Sequence, residues 1–306
     1  MKLRIGTRGS PLALRQAEEV KDLLLQLHPG LEVELVKIRT TGDKITEAPL
    51  ARIGSKGIFV KEIEEALLRG EIDLAVHSMK DLPTRLPPGL TIGAVPPRED
   101  PRDALVSRDG RYLHELSPGV KIGTSSLRRR VQLLRIKASW QIVPLRGNLD
   151  TRLRKLREGE VEAIVVASAG LRRLGLQHQA RQLLPPELLL PAAGQGALAV
   201  ECREGDGVME LLGPLNHPQT ALEVRAERAF LERMGGGCQV PMGALARSVQ
   251  GQVRLRGMVS SLDGRRFFVG EEEGLGAEEV GRRLAERLLR EGAEEVLEEI
   301  YAEGEG

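Results

Sequence analysis

The segment Leu3-Arg-Ile-Gly-Thr7 is echoed in the middle of the chain by Val120-Lys-Ile-Gly-Thr124. Each copy is a short apolar run, typical of a strand, that ends in Gly-Thr and precedes a helix start. After the first copy, Ser10 is a good N-cap and Pro11 suits the first helical position. After the second copy, Thr124-Ser-Ser126 supplies the cap. The repetition predicts two structural units of the same kind.

Two further pairs of segments repeat in the same order. Residues 33–38 lead into 40–43 as residues 141–145 lead into 146–150, and residues 69–76 resemble residues 158–165. Alternating strands and helices predict parallel α/β sheets, and the repetition predicts two similar, doubly wound lobes. Ligands of such sheets bind beyond the carboxyl ends of the strands, near helix N-termini. We therefore expect the site in the cleft between the lobes.

The C-terminal part of the chain has a different pattern. A helix is predicted at 220–233, followed by three strand-like runs near 243–249, 252–260 and 265–271 and a long amphipathic helix at about 277–301. Asp263-Gly264 is a hairpin turn signal between the last two strands. These elements predict a small α+β domain with a three-stranded antiparallel sheet.

The domain boundaries follow from these patterns. Residues 191–201 read as a return strand that crosses back into the first lobe. The predicted division is domain 1 at residues 1–97 and 197–216, domain 2 at residues 98–196, and domain 3 at residues 217–306.

Composition limits the possible functions. The chain has 306 residues, a formal net charge of +1 and 2% aromatic residues, which argues against a general nucleic-acid binder. No apolar run approaches membrane-spanning length, and no signal peptide is evident, so we expect a cytoplasmic protein without a membrane partner. Cys202 and Cys238 show no metal-ligand spacing, so no metal site is predicted.

A glycine-rich loop, Met234-Gly-Gly-Gly-Cys-Gln-Val-Pro241, surrounds the second cysteine. Glycines remove the side-chain wall around the sulfur and would let a bulky group approach it. The alternative is an inert cysteine in a turn, which the loop alone favours because most free cysteines behave as small hydrophobic residues.

Polar residues gather at the predicted strand ends and helix starts. Arginines in such positions bind carboxylates or phosphates in a bidentate manner, so their number predicts a ligand with several anionic groups. For Arg128, Arg129 and Arg130 the alternative is a solvated helix face, and for His77 it is a buried, hydrogen-bonded histidine. Lys80 and Asp81 form either a plain salt bridge or, since Asp81 is the one acid facing a cationic cleft, a site of proton transfer.

Eight motifs stand in one order along the chain. They are Arg8-Gly-Ser-Pro-Leu-Ala13, Gly57-Ile-Phe-Val-Lys-Glu62, His77-Ser-Met-Lys-Asp-Leu-Pro83, Arg98-Glu-Asp-Pro-Arg-Asp-Ala104, Gly123-Thr-Ser-Ser-Leu-Arg-Arg129, Leu145-Arg-Gly-Asn148, Pro191-Ala-Ala-Gly-Gln-Gly196 and Gly236-Gly-Cys-Gln-Val-Pro241. Together they closely resemble the hydroxymethylbilane synthase family, also called the porphobilinogen deaminases. The resemblance runs from about residue 3 to the C-terminus.

The resemblance implies a monomeric transferase of tetrapyrrole and heme biosynthesis, with two lobes like those of type II periplasmic binding proteins. It implies a dipyrromethane cofactor joined by a thioether to Cys238. Four porphobilinogen molecules are added to this primer with loss of ammonia, and water then releases the linear tetrapyrrole. Each pyrrole carries an acetate and a propionate, which matches the polycarboxylate expected from the arginines.

The resemblance also implies roles for individual residues. Asp81 becomes the acid/base that assists ammonia loss and stabilises the azafulvene cation, and Cys238 becomes the attachment point of the cofactor. The residues expected to bind cofactor and substrate are Arg8, Ser10, Gln16, Lys56, Ser78, Lys80, Thr124, Ser126, Arg128, Arg129, Arg146, Arg152, Arg173 and Gln195.

One rival interpretation is a non-catalytic, two-lobed protein that binds or senses polycarboxylates. It explains the lobes and the arginines but gives no role to Cys238 or to the third domain. A nucleic-acid binder is less favoured, because few aromatic residues are available for stacking.

Overall fold

Two five-stranded sheets with the same internal strand order form the two lobes. The computed structural model describes residues 2–41, 60–237 and 240–304. The first sheet contains β1 (Lys2–Thr7), β2 (Glu32–Lys37), β3 (Leu74–Ser78), β4 (Leu90–Ala94) and, from much later in the chain, β10 (Leu198–Arg203). Their order is β2-β1-β3-β10-β4, with β1, β2 and β3 parallel and β10 antiparallel to both of its neighbours.

The second sheet repeats this arrangement. It contains β5 (Asp103–Ser107), β6 (Lys121–Gly123), β7 (Gln141–Val143), β8 (Ala163–Ala167) and β9 (Gln182–Leu184), in the order β7-β6-β8-β5-β9. The antiparallel strand here is β5, which enters from the first lobe. The repeat in the sequence is therefore confirmed as two lobes of one topology. The predicted return strand is β10, but it begins at Leu198 rather than at 191, because residues 192–197 form turns closed by backbone hydrogen bonds.

Helices cover the sheets and place their N-termini near the strand ends. They are α1 (Pro11–Leu27), α2 (Lys61–Leu68), α3 (Leu127–Ile136), α4 (Leu149–Arg157), α5 (Ser168–Arg173) and α6 (Val208–Leu212). Ser10 caps α1 by accepting from the Ala13 amide, and Ser126 caps α3 by accepting from the Arg129 amide, as predicted. Strands such as β8 are almost continuously apolar because both faces are covered by packed elements.

The third unit is an antiparallel sheet covered by two helices. Its strands β11 (Met242–Val249), β12 (Gln252–Ser260) and β13 (Phe267–Gly274) lie in sequence order, beside α7 (Pro218–Arg233) and α8 (Ala277–Leu288). These helices approach closely at Gly281, where an added Cβ would lie 2.4 Å from the Ala226 carbonyl oxygen. The predicted small α+β unit with three antiparallel strands is confirmed.

Two details of this unit were predicted wrongly. The last strand begins at Phe267 rather than 265, because the Arg265 amide bonds to Asp263 and the Ser261 amide to the Arg266 carbonyl within the turn. The predicted single helix at 277–301 is interrupted at residues 289–293, where Gly292 has a φ of 114° that a helix does not allow. A second helix, α9 (Glu294–Gly304), follows.

Within residues 2–41, 60–237 and 240–304, no helix combines the length and the apolar character needed to cross a bilayer.

Candidate active site

Asp81 lies directly after a buried strand of the first lobe. β3 ends at Ser78, and Met79–Asp81 forms one turn of 3-10 helix at its carboxyl end. Met79 is buried in the lobe, whereas Lys80 and Asp81 are exposed. The buried strand and the Met79 side chain therefore fix the turn and leave Lys80 and Asp81 exposed at the carboxyl end of the sheet, where ligands of such sheets bind.

Gln16 and Ser78 connect this turn to the first helix. The Gln16 amide nitrogen donates to the Ser78 hydroxyl at 2.8 Å, and Gln16 is buried. Both residues were predicted to bind cofactor or substrate. The structure brings them to the same end of the sheet as Asp81, and their mutual bond helps to hold that end.

The two lobes contribute charges to one electrostatic cluster. Although Lys80 still reaches solvent, desolvation by the protein packed around it lowers the pKa of its ammonium group; Asp81 and Asp103 oppose this shift, and Arg129 and Arg128 add to it. Burial and the charge of Arg129 lower the pKa of Arg152 to about 10, against the effect of Asp81. Charged groups of both lobes therefore influence one another's pKa.

Asp103 is a buried carboxylate at the centre of the arginine cluster. Its oxygens accept from Arg128 Nη1 at 2.8 Å, from Arg129 Nη2 at 2.7 Å and from Gln195 Nε2 at 2.9 Å. Asp103 is 0% exposed, and the two arginines are each 5% exposed. Despite its burial, the arginine charges hold the pKa of the Asp103 carboxyl far below its usual range.

These contacts change the interpretation of the arginine run. Arg128 and Arg129 do not lie on a solvated helix face, since both point into the protein; Arg130 is exposed. Arg128 Nη1 also donates to the Leu190 carbonyl at 2.6 Å, and Arg129 Nη1 donates to the Val165 carbonyl at 3.1 Å. Sequence reasoning missed Asp103 as a site residue, although an acid at the start of a buried strand is itself a signal.

We expect Asp103→Asn to lower the free energy of unfolding at pH 7 by about 3–5 kcal/mol, because two buried guanidinium groups lose their counter-charge. The depressed pKa of Asp103 means that its stabilising effect is present above the usual aspartate pKa and lost at strongly acidic pH. Urea unfolding measures the change. Asp109→Asn is the control, since Asp109 pairs with Arg111 at the surface and should contribute about 0–1 kcal/mol. Equal effects of the two substitutions would contradict the assignment.

Arg173 is bonded across the lobes rather than to the Asp103 cluster. Its Nε donates to Glu19 Oε2 at 2.9 Å and its Nη2 to the Gly196 carbonyl at 3.1 Å. Glu19 lies on α1 of the first lobe and Arg173 on α5 of the second. The predicted carboxylate binder therefore already has a carboxylate partner, and that partner belongs to the opposite lobe.

The remaining predicted binders line the strand ends. Thr124 is buried and its hydroxyl accepts from the Ser126 amide at 3.2 Å, while Arg152 Nε donates to the Gly147 carbonyl at 2.9 Å. Arg8 follows β1 and Arg146 follows β7, and both are half-buried. Lys56 and Cys238 lie outside the described residues.

The loop that leads to Cys238 is described up to Gly237. Met234 is buried in the core of the third unit, and Gly235 has a φ of 70°. The Tyr301 hydroxyl donates to the Gly235 carbonyl at 2.6 Å. The start of the cysteine loop is therefore fixed by the core on one side and by the last helix on the other.

His77 belongs to a buried titratable cluster behind the site. Its Nε2 lies 2.9 Å from Glu201 Oε2, which confirms the prediction of a buried, hydrogen-bonded histidine. Glu64 on α2 is buried beside this pair. Burial, with repulsion from Glu201, raises the pKa of Glu64 to about 7, and His77 partly opposes the shift.

We expect Glu64→Gln to stabilise the protein at alkaline pH. The folded pKa of Glu64, about 7, lies above its usual value of 4.5. The stability tied to its protonated form is therefore fully present below pH 4.5 and lost as pH rises through 7. The variant should be about 1–3 kcal/mol more stable than the parent at pH 8 and equal to it at pH 4.5. Urea unfolding at both pH values tests this, with Glu65→Gln as control, since Glu65 is only half-buried and pairs with Lys61 and Arg69; a pH-independent difference would contradict the prediction.

The strand order defines a class of fold. Both lobes have the order 2-1-3-n-4 with one antiparallel strand, the arrangement of type II periplasmic-binding-protein-like folds. Solved structures with distant likeness include the Bordetella pertussis BvgS VFT2 domain, at 16% identity and a TM-score of 0.40 over 69% of this chain and 84% of that one. Another is the methionine binding protein MetQ, at 16% identity and a TM-score of 0.41 over 69% and 86% of the two chains.

Sequence comparisons identify the family. Residues 3–210 match the model of the porphobilinogen deaminase dipyrromethane cofactor binding domain, and residues 221–290 match the porphobilinogen deaminase C-terminal domain. Porphobilinogen deaminase of Syntrophobacter fumaroxidans is 52% identical over 302 residues, 98% of each chain. That of Syntrophotalea carbinolica is 54% identical over 301 residues, 96% of this chain and 95% of the relative. The chain belongs to the porphobilinogen deaminase family.

Proposed function

We propose that this chain is a hydroxymethylbilane synthase, a transferase that joins four porphobilinogen molecules head to tail and releases the linear tetrapyrrole. The proposal rests on membership of the family and on one observation, the balance of charges between the lobes. Among the residues that the structure describes, four cationic side chains from both lobes interact with the carboxylates Asp81 and Asp103. The cations are Lys80, Arg128, Arg129 and Arg152. The excess positive charge favours a ligand that carries several carboxylates.

The donor set fits a dipyrromethane cofactor attached to Cys238. When bound, the cofactor supplies the pyrrole carbon to which porphobilinogen is joined. Its acetate and propionate groups require cations and hydroxyl or amide donors, which the cleft offers from both lobes. The residues assigned to this task are Arg8, Ser10, Gln16, Lys56, Ser78, Lys80, Thr124, Ser126, Arg128, Arg129, Arg146, Arg152, Arg173 and Gln195.

These residues include two contrasting groups: those that are hydrogen-bonded to Asp103, and those whose side chains remain accessible. Arg128, Arg129 and Gln195 are bound to Asp103, so they form a rigid, positively charged wall rather than mobile clamps. Lys80 and Arg152 are more accessible and reach into the cleft. The accessible pair contacts the carboxylates of the incoming substrate, and the wall behind them fixes the field that favours anions.

Asp81 carries the proton transfers. The protonated Asp81 carboxyl gives its proton to the amine that leaves each porphobilinogen unit, and the resulting carboxylate takes up the proton released from the substituted ring carbon, which restores the protonated group. Lys80 lies next to it in the chain and Arg152 interacts with it electrostatically. The same carboxylate stabilises positive charge that develops on the substrate when ammonia departs.

The domain division and the setting are part of the proposal. Membership of the two lobe sheets supports domains at 1–97 with 197–216, at 98–196 and at 217–306. Cys202 is buried in the core of the first lobe, where burial raises the pKa of its thiol to about 11, which suits an unreactive cysteine in a reducing cytoplasm. The enzyme acts as a monomer, without nucleic acid or membrane.

Incubation of the purified protein with porphobilinogen tests the function. We expect about four porphobilinogen molecules to be consumed for each tetrapyrrole, the stoichiometry that the family resemblance implies, with the same number of ammonia molecules released. The product is measured as porphyrin after oxidation. Binding of porphobilinogen without consumption would support the rival, a non-catalytic polycarboxylate binder, which the match to both family domains does not favour.

A further inference from the structure

Arg228 holds the backbone that follows Asp81, although it lies in a different part of the fold. Its Nη2 donates to the Pro83 carbonyl at 2.7 Å and to the Thr84 carbonyl at 3.0 Å, and its Nη1 donates to the Leu82 carbonyl at 3.3 Å. Nη1 also lies 3.9 Å from Met79 Sδ. One guanidinium group therefore contacts the chain both before and after the acid.

The segment after Asp81 needs such an external partner. Residues 82–87 form neither helix nor strand, and Pro83 has no amide hydrogen to contribute to a turn. Carbonyls in a half-buried segment must find donors, and here one side chain supplies donors to three successive carbonyls. The planar, rigid fork of arginine suits this task, since it presents several N–H groups in a fixed geometry.

The helix that carries Arg228 is fixed on its other side. The neighbouring Glu227 accepts from the Gly194 amide at 2.6 Å, from the Ala246 amide at 2.8 Å and from Arg98 Nη1 at 2.6 Å. Helix α7 then ends at Arg233, and the loop containing Cys238 begins. The acid turn and the start of the cysteine loop are thus both joined to one rigid helix.

We propose that Arg228 is a positioning residue for catalysis, which holds the Asp81 turn in a fixed relation to the helix that leads to Cys238. The inference rests on the proposed function. Arg228 acts through Asp81, and its partners are the backbone carbonyls and the Met79 sulfur. It keeps the Asp81 carboxyl at a fixed position relative to Cys238, to which the growing chain is attached.

Loss of Arg228 should affect the rate more than substrate affinity. The freed carbonyls lie in a half-buried segment that water can reach, so the fold should survive, while the Asp81 turn gains freedom. Misplacement of a catalytic group by about 1 Å can cost on the order of 100-fold in rate. The arginine wall around Asp103 makes no contact with Arg228, so KM should change little.

The test compares Arg228→Gln, Arg228→Lys and the control Arg225→Gln. Arg225 is an exposed residue on the same helix that pairs with Glu278 at 3.6 Å. Each cofactor-loaded protein is checked by intact mass and thermal unfolding, and kcat and KM for porphobilinogen are then measured across pH. For Arg228→Gln we expect kcat to fall about 10- to 100-fold with KM changed less than about threefold.

The other variants sharpen the test. Arg228→Lys keeps the charge but not the fork, so its kcat should lie between those of the parent and Arg228→Gln, and Arg225→Gln should match the parent. Parental kcat in Arg228→Gln would overturn the proposal, as would a raised KM at unchanged kcat, or a loss that only follows the fraction of unfolded or cofactor-free protein. A parent that itself shows no turnover would contradict the proposed function instead.

Discussion

Asp81→Asn is expected to abolish porphobilinogen turnover, with kcat reduced by about 100- to 10,000-fold, the range for loss of a positioned acid/base. The amide has the shape of the carboxylate but neither carries a transferable proton nor offsets positive charge. Asp81 is exposed at the end of a turn held by the buried Met79 and by Arg228, so the fold should be unchanged. Steady-state and single-turnover consumption of porphobilinogen measure the effect.

Two comparisons separate this role from a general effect of lost charge. Asp81→Glu keeps a carboxylate at a longer reach and should recover part of the rate, whereas Asp109→Asn, at the surface of the second lobe, should leave the rate at the parental level. Asp81→Asn with near-parental turnover would remove Asp81 from the mechanism.

The large features of the fold could be predicted because their sequence signals involve residues that are close together in the chain. The repeated Gly-Thr strand ends and the caps at Ser10 and Ser126 each depend on a few neighbouring residues, and they recur in both lobes. The return strand β10 was also visible as an apolar run. The break at Gly292 was not, because the apolar periodicity continues on both sides of a single glycine.

The sequence predicted the chemistry of the candidate site but not the pairings of its side chains. Residue types at strand ends predicted a cationic cleft with Asp81 as its acid. That Arg128 and Arg129 share the buried Asp103, and that Arg173 meets Glu19 of the other lobe, depends on contacts between residues 25 to 154 positions apart. The carbonyl contacts of Arg228 span up to 146 positions. No local sequence pattern indicates contacts between residues that lie so far apart in the chain.

These pairings change the binding mechanism that the number of arginines alone would suggest. If every arginine were a free clamp, the cleft would hold a polycarboxylate by mobile side chains. Instead, Asp103 is bonded to Arg128 and Arg129, so it neutralises part of their charge and fixes their geometry. Under the proposed function, we therefore expect a preorganised field for the carboxylates of the ligand. The Arg173–Glu19 ion pair links the two lobes, and the Arg173 side chain is only 6% exposed. Any movement of one lobe relative to the other must therefore break this ion pair or move both side chains together.

The central claim is that Cys238 anchors the primer while Asp81 performs the chemistry, and intact mass tests it most directly. We expect the purified parent protein to exceed its polypeptide mass by one dipyrromethane. Cys238→Ser should have the bare polypeptide mass and no turnover, whereas Cys202→Ala, at the buried cysteine of the first lobe, should keep the added mass. A parent protein with only the polypeptide mass, or a Cys238→Ser variant that retains the addition, would contradict the account.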